Sequence, residues 1–272
     1  MNRWGMYIGC GLSLLLLFLA IFAPWISPSD PLAQNLAMQF AGPTWQHPLG
    51  NGVNGVDLLS QLFWGARVSM IVGFVTVIFS GALGLFLGSI AGYFRGTLES
   101  IIMRIIDALY AFPGILLVVA LASVLGPGLK NMIIVMTVTT WAGYARLARG
   151  STLRLREEEF ILAAKAQGAS HFRIIFKHLW PNLLPLLLVQ MSFGLGSAIM
   201  TESTLSFLGL GAPPETVSWG QMINQGRELL LVAPRLVIVP GSALVLAVLG
   251  LNLFGDSLRD LLDPRKIEDR GT

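Results

Sequence analysis

Few side chains in this 272-residue sequence are spaced for catalysis or metal binding. The three histidines, His47, His171 and His178, lie apart in sequence with no metal-binding spacing, and the single cysteine, Cys10, falls within an apolar run. Because metal sites and nucleophilic catalysis need such groups close together, we predict no metal site and no catalytic residue. The sequence also lacks a G-x-x-x-x-G-K-[ST] phosphate loop, so we do not expect this chain to hydrolyse ATP by itself.

Two acidic residues lie in or beside apolar runs. Glu202 falls near the end of the run 183–208 and is followed by Ser203. A carboxylate in lipid costs several kcal/mol unless it faces other helices or water. Glu202 and Ser203 are therefore candidates for a polar gate or for the lining of a path through a membrane, with hydrogen bonding between helices as the alternative. Asp107 follows Arg104 by three residues, which predicts an ion pair on one helix face.

The composition indicates that most of the chain is solvated by lipid. Hydrophobic residues make up 54% of the sequence and charged residues only 12%, whereas soluble domains are about one quarter charged. The formal net charge of +3 is small, and no dense basic patch is present, so we predict no nucleic-acid partner.

Six apolar stretches have the length of membrane-spanning helices, about 20 residues for a hydrocarbon core of about 30 Å. The first is longer than the apolar part of a signal peptide and lacks a clear cleavage site, so we interpret it as an uncleaved span. The predicted fold is therefore an all-α polytopic membrane protein. The six predicted spans cover residues 7–26, 68–92, 104–125, 132–149, 183–208 and 236–256.

Lysine and arginine residues determine the predicted orientation. With the N-terminus inside, 14 of the 18 basic residues lie in inner segments and only Arg67, Lys130, Arg227 and Arg235 lie outside. Six spans then place both termini and the polar segment 157–182 in the cytoplasm. We divide the chain into a first span with a long outer loop, a core and a short tail, namely residues 1–67, 68–265 and 266–272.

Several residues within the predicted spans suggest local roles. Pro113 is expected to kink the third span. Trp141 and Tyr144 are expected to anchor the fourth span at the lipid interface. Small residues spaced three or four apart predict an assembly surface on the second span, which could face a partner subunit in the membrane. These are Gly81, Gly84, Gly88 and Gly92.

The polar segment 157–182 reads as a helical hairpin. Its acidic start, from Glu157 to Glu159, complements the positive end of a helix dipole. Gly168 can adopt the left-handed conformation that ends a helix, and Ser170 can cap a second short helix over 171–179. Pro181 is predicted to stop that helix.

The small side chains of this hairpin could dock into a groove of a partner, and Ala163 and Ala164 are among them. An amphipathic hairpin lying on the lipid surface is the alternative. Ala163-Ala164, Gly168 and Pro181 resemble the "EAA" loop of ABC-importer permeases, through which an ATPase subunit drives the membrane subunit. Leu162 stands where that family has a glutamate.

Three further stretches extend the resemblance over residues 7–265 and are similar to the dipeptide/oligopeptide/nickel permeases, in particular to their second, "C"-type subunit. The first runs from His47-Pro48-Leu49-Gly50 to the segment 65–69. The others are the segments 203–211 and 255–265. Asn51-Gly52 and Val56 stand where the family usually has charged residues, which departs from its pattern.

The resemblance implies the transmembrane domain of a type I ABC importer in a bacterial cytoplasmic membrane. It implies a heterodimer with a homologous permease, two cytoplasmic ATPases that bind ATP and magnesium, and an extracytoplasmic substrate-binding protein. No cofactor is implied for this chain. The residues expected to couple to the ATPase are Glu159, Ala163, Ala164, Gly168, Ala169, Ser170 and Pro181.

The resemblance leaves the substrate open among dipeptides, oligopeptides, glutathione-like peptides and nickel, free or chelated. The predicted spans contain few residues that bind metals, which favours peptides. An ion-coupled carrier or an intramembrane enzyme is a distant alternative, and either would need paired ionisable groups deep within the spans.

Overall fold

The computed structural model describes residues 3–213 and 215–262, so the predicted tail 266–272 lies outside the described residues. Within them the regular structure is helical, apart from one isolated bridge between Asn51 and Asp57, and the predicted all-α fold is confirmed. The main helices are α1 (Arg3–Ile26), α2 (Leu58–Phe94), α3 (Gly96–Tyr110), α4 (Gly114–Leu125), α5 (Leu129–Leu155), α6 (Glu159–Ala166), α7 (His171–Phe207), α8 (Trp219–Gly226) and α9 (Arg235–Leu262).

Four of the described helices, α1, α2, α7 and α9, are each long and apolar enough to cross a membrane. Helices α3 and α4 are long and apolar enough to cross a membrane only when the two are counted as one bent span. Helix α5 has 27 residues but carries several basic side chains. At 1.5 Å per residue it is about 40 Å long, which exceeds a bilayer core of about 30 Å. The described part of the chain thus gives four or five spans, and six remains a prediction.

Helix α2 is the central helix of the fold and packs against α1, α5 and α7. It begins at Leu58, whereas the second span was predicted to begin at residue 68. The helix therefore extends across the predicted boundary between the segments 1–67 and 68–265. The early start has a clear cause, because the Asp57 carboxyl accepts a hydrogen bond of 2.7 Å from the Ser60 backbone N–H. Such a cap satisfies a donor that would otherwise have no partner in the first turn.

The glycine stripe of α2 packs within the chain. A Cβ atom at Gly84 or Gly88 would overlap atoms of Tyr144 and Ala145 on α5, and one at Gly92 would lie 2.8 Å from the Arg149 carbonyl oxygen. The suggestion that this stripe faces a partner subunit is therefore wrong. Glycine is needed there because the backbones of α2 and α5 approach closely.

The predicted third span is two helices with a sharp bend between them. The axes of α3 and α4 differ by 90°, and the break covers residues 111–113, with Pro113 immediately before the first residue of α4. Proline disfavours helical backbone in the residue before it, so the helix ends there and does not merely kink. At the other end, α3 begins at Gly96 because Arg95 adopts a positive φ of 58° and separates it from α2.

Three predicted side-chain roles are corrected by the packing of α3 and α5. Asp107 pairs with Arg146 of α5 at 2.6 Å, so the predicted ion pair with Arg104 is wrong. Trp141 and Tyr144 are 7% and 6% exposed, which excludes the expected anchoring role at a lipid surface. Both face inward because the bent pair α3–α4 and helix α2 cover this side of α5.

The long outer loop folds back onto the starts of two helices. His47 Nδ1 lies 2.9 Å from an oxygen of Asp57, the residue that caps α2. Arg235, at the start of α9, donates hydrogen bonds of 2.8 Å to the carbonyl oxygens of Phe40 and Ala41. The loop is therefore fixed at both α2 and α9.

Candidate functional site

The hairpin over 157–182 has most of its predicted geometry. Helix α6 covers Glu159–Ala166, and Gly168 follows with φ of +79°, which confirms the glycine turn. The Ser170 hydroxyl accepts a hydrogen bond of 3.4 Å from the Arg173 backbone N–H, so the predicted cap is also confirmed.

The predicted proline stop is wrong. The second helix continues through Pro181 as α7 and ends only at Phe207. Before the proline, residues 174–179 form a wider π-type turn, in which the Trp180 N–H bonds to the Ile175 carbonyl. Proline lacks an N–H and clashes with the carbonyl four residues earlier in a regular helix. The wider turn accommodates it, because its hydrogen bonds run over five residues.

The tip of the hairpin is exposed, while its base is held by apolar packing. Ile161 of α6 is fully buried, and α6 packs against the π-type turn. Of the six predicted coupling residues between positions 159 and 170, four are exposed and two are half-buried. The exposed ones are Glu159, Ala163, Gly168 and Ser170, and the half-buried ones are Ala164 and Ala169. Pro181 is exposed too, but it lies along a separate cleft with Arg154.

The last turn of α2 is bonded directly to the hairpin. The Tyr93 hydroxyl lies 2.8 Å from Nδ1 of His171, the first residue of α7. Arg156 donates a hydrogen bond of 2.8 Å to the Tyr93 carbonyl, and the Lys165 ammonium lies 5.6 Å from the centre of the Tyr93 ring. Tyr93 thus contacts the chain before the hairpin, its first helix and its second helix.

An aromatic row provides a second connection between the hairpin and α2. The rings of Phe172 and Phe176 have centres 4.2 Å apart, and those of Phe176 and Trp180 are 4.3 Å apart. Trp180 Nε1 then donates a hydrogen bond of 3.1 Å to the Ser89 hydroxyl of α2. Phe172 at the outer end of the row is exposed. The hairpin segment is therefore connected to α2 at a second point, four residues before the Tyr93 contact.

The Glu202 carboxyl lies in the protein interior. Its side chain has no exposed surface. The Ser69 hydroxyl of α2 donates a hydrogen bond of 2.7 Å to it, and the Ser206 and Ser203 hydroxyls donate bonds of 2.8 and 3.3 Å. This geometry favours the predicted alternative, hydrogen bonding between helices, over the lining of a path.

A polar groove lies between α2, α5 and α7, with Tyr110 of α3 at its edge. Its volume is about 300 Å³. Thr76 is almost fully buried in its wall, and its hydroxyl has no hydrogen-bond partner among the described residues. Gln190, Ser197 and Thr201 of α7 line the opposite wall. Such a groove could accept hydrogen bonds from, or donate them to, a polar molecule within the apolar bundle.

Sequence reasoning missed this groove. Its residues form no motif and carry no charge, and hydroxyl side chains are common in packed membrane helices. The available indication was Gln190, a polar amide in the otherwise apolar run of α7, facing threonines at positions 139 and 140 of α5.

Two family models match this sequence. Residues 84–268 match the binding-protein-dependent transport system inner membrane component. This chain belongs to that family. Residues 2–43 match the N-terminal transmembrane domain of oligopeptide transport permease C. The chain is thus a multi-pass inner-membrane permease of the ABC importers, within their peptide-transporting group.

Individual relatives support the same assignment. The dipeptide transport system permease protein DppC of Alkalihalophilus pseudofirmus is 42% identical over 249 residues, covering 92% of this chain and 82% of the relative. The glutathione transport system permease protein GsiD of Shigella sonnei is 42% identical over 255 residues, covering 93% and 84%. A subunit of the inward-facing MetNI methionine ABC transporter has the same fold, with a TM-score of 0.62, 21% identity, and coverage of 75% of this chain and 96% of that one.

Proposed function

We propose that this permease translocates dipeptides or oligopeptides, using ATP hydrolysed by partner subunits docked on the hairpin around Gly168. The observation that carries the proposal is the double connection of the hairpin to α2, through Tyr93–His171 and through Trp180–Ser89. Helix α2 also forms one wall of the polar groove. A rigid element that contacts both the ATPase and the groove can transmit a rigid-body motion between them.

The proposed complex contains this chain, a homologous second permease, two cytoplasmic ATPases and an extracytoplasmic substrate-binding protein. ATP and magnesium bind the ATPases, and this chain has no ATPase site of its own. Helix α5 serves as the sixth span, so both termini and the hairpin face the cytoplasm. The groove forms half of the pathway, and the second permease supplies the other half.

The peptide substrate is supported by the named relatives and by the chemistry of the groove. Relatives carry names for dipeptide and glutathione transport. Among residues 3–213 and 215–262, no group of three or more His, Cys, Asp or Glu could hold a metal ion. Hydroxyl and amide side chains suit peptide bonds, whereas nickel is better bound by ligands such as imidazole. Import of nickel or a metal chelate by the same architecture is the alternative.

The docking role is tested by Gly168→Trp in cells that express all subunits. The tip is open, because no atom lies within 4 Å of a Cβ placed at Gly168. The substitution should therefore leave membrane insertion intact while abolishing peptide uptake and ATPase co-purification. Gly209→Trp is the matched control, because Gly209 has a similar φ of +77°, is equally unobstructed and lies beyond the opposite end of α7. Normal uptake by the Gly168 variant would refute the docking assignment.

A further inference from the structure

A second cleft lies at the inner ends of α5, α7 and α9, on the side of α7 that the described part of the chain leaves open. Its volume is about 480 Å³. Arg154 of α5 and Arg259 of α9 line it, together with the polar side chains of Ser151 and Asn182. Leu186 of α7, one turn beyond Asn182, forms part of its apolar wall.

The charge of this cleft is uncompensated within the described structure. Arg154 and Arg259 form no ion pair with any described residue, and no acidic side chain lines the cleft there. By contrast, Arg146 and Arg149, earlier on the same helix as Arg154, both pair with carboxylates of α3. An anion with an apolar part would complement the two exposed guanidinium groups and the apolar walls beside them.

We propose that this cleft binds one anionic phospholipid of the inner leaflet. Its phosphate and anionic headgroup would pair with Arg154 and Arg259, since guanidinium groups bind phosphate oxygens in a bidentate manner. Its acyl chains would lie along Leu186, Val189 and Leu262. Basic pockets between membrane helices on the cytoplasmic side suit such headgroups.

The bound lipid would contact α5, α7 and α9, three helices that are separate in the sequence. Arg154 lies at the end of α5, three residues before the acidic start of the hairpin segment, and Arg259 lies in the last turn of α9. The lipid would therefore help to fix the base of the hairpin against α9. The inference rests on the proposed orientation but not on the peptide substrate, so it can fail or hold independently of peptide uptake.

The test is native mass spectrometry of the full transporter, reconstituted with equal amounts of phosphatidylglycerol and phosphatidylcholine. We expect selective retention of phosphatidylglycerol. Arg154→Gln and Arg259→Gln should each lower that retention by about fivefold. Arg154→Lys and Arg259→Lys should lower it less than the glutamine variants, because the charge is kept although the bidentate contact is lost. Arg104→Gln, a basic residue of α3 that does not line the cleft, is the matched control.

Two further experiments distinguish a bound lipid from other molecules that could fill the cleft. Leu186→Trp should lower retention while leaving both charges in place, because the indole would fill the apolar wall. Equal retention of the two lipids would overturn the proposal. The same holds if Arg104→Gln loses as much lipid as the cleft variants, or if a dipeptide displaces the lipid from the cleft. Intact co-purification with the ATPase shows that each variant is folded.

Discussion

The hydroxyl of Tyr93 lies 2.8 Å from Nδ1 of His171, which joins the last turn of α2 to the first residue of α7. These residues are separated by 78 positions in the sequence, and helices α3 to α6 lie between them along the chain. The contact connects the start of α7, three residues after Gly168 of the glycine turn, to the end of the central helix. The proposed coupling requires such a connection, because a flexible linker would absorb the motion.

Removing this hydrogen bond should weaken the coupling without disrupting the fold. Tyr93→Phe deletes the hydroxyl and keeps the ring over which Lys165 lies. One hydrogen bond contributes about 1 kcal/mol, so we expect peptide transported per ATP hydrolysed to fall by about fivefold. The ratio is measured in proteoliposomes that contain the complete transporter. Tyr7→Phe on the exposed face of α1 is the control, and equal ratios in the two variants would contradict this role.

Glu202 should contribute to stability more than to transport. Glu202→Ala removes the acceptor of the Ser69 and Ser206 hydroxyls, which are both buried. An unsatisfied buried donor costs about 1–3 kcal/mol, so the melting temperature should fall. Glu202→Gln keeps one acceptor oxygen, so it should lower the melting temperature less than Glu202→Ala does.

Thermal unfolding of the detergent-solubilised transporter measures this effect. Glu215→Ala, which changes an exposed carboxylate, provides the comparison. If Glu202→Ala abolished uptake while leaving the melting temperature unchanged, the carboxyl would be a pathway or gate group after all.

The close packing of α2 on α5 should not tolerate a larger side chain at Gly88. The Cβ atom of Gly88→Ala would overlap the Ala145 carbonyl oxygen and lie 2.9 Å from its Cα atom. Overpacking of this kind costs about 1–3 kcal/mol. We expect a lower melting temperature and less assembled transporter, whereas Gly5→Ala on α1, where nothing lies within 4 Å, should behave as wild type. Unchanged assembly would show that the two helices can separate without cost.

The polar groove should affect substrate passage and leave the ATPase assembly intact. Gln190→Leu replaces an exposed amide of the groove by an apolar side chain of similar size. We expect lower peptide uptake with normal co-purification of the ATPase, because Gln190 is remote from the hairpin tip along α7. Gln225→Leu on α8 is the matched control. Loss of ATPase binding in the Gln190 variant would contradict a groove-specific role.

The sequence was sufficient to predict the class of fold and the hairpin turn, because both depend on local chemistry. Apolar length indicates membrane helices, and Gly168 and Ser170 are residues suited to a helix end and a helix start. Features that depend on distant partners could not be predicted. The pairing of Asp107 with Arg146 and the burial of Tyr144 both follow from how α3 and α5 pack.

The two prolines Pro113 and Pro181 also show that local preference alone does not determine where a helix ends. Pro113 separates α3 from α4 with a 90° bend, whereas Pro181 lies within a continuous helix. The local preference of proline against helix is identical at the two positions. What differs is the π-type turn over 174–179, which is held by buried Ile174 and Leu179 and precedes only Pro181. The polar groove was missed for a related reason, since its walls come from separate helices.

The most direct test of the account is uptake of labelled dipeptide, tripeptide and nickel in cells with and without this chain, at matched levels of the partner subunits. We predict that removing the chain abolishes peptide uptake and leaves nickel uptake unchanged. Loss of nickel uptake alone would contradict the peptide substrate while keeping the ATP-driven architecture. Unchanged uptake of all three would contradict the proposed function itself.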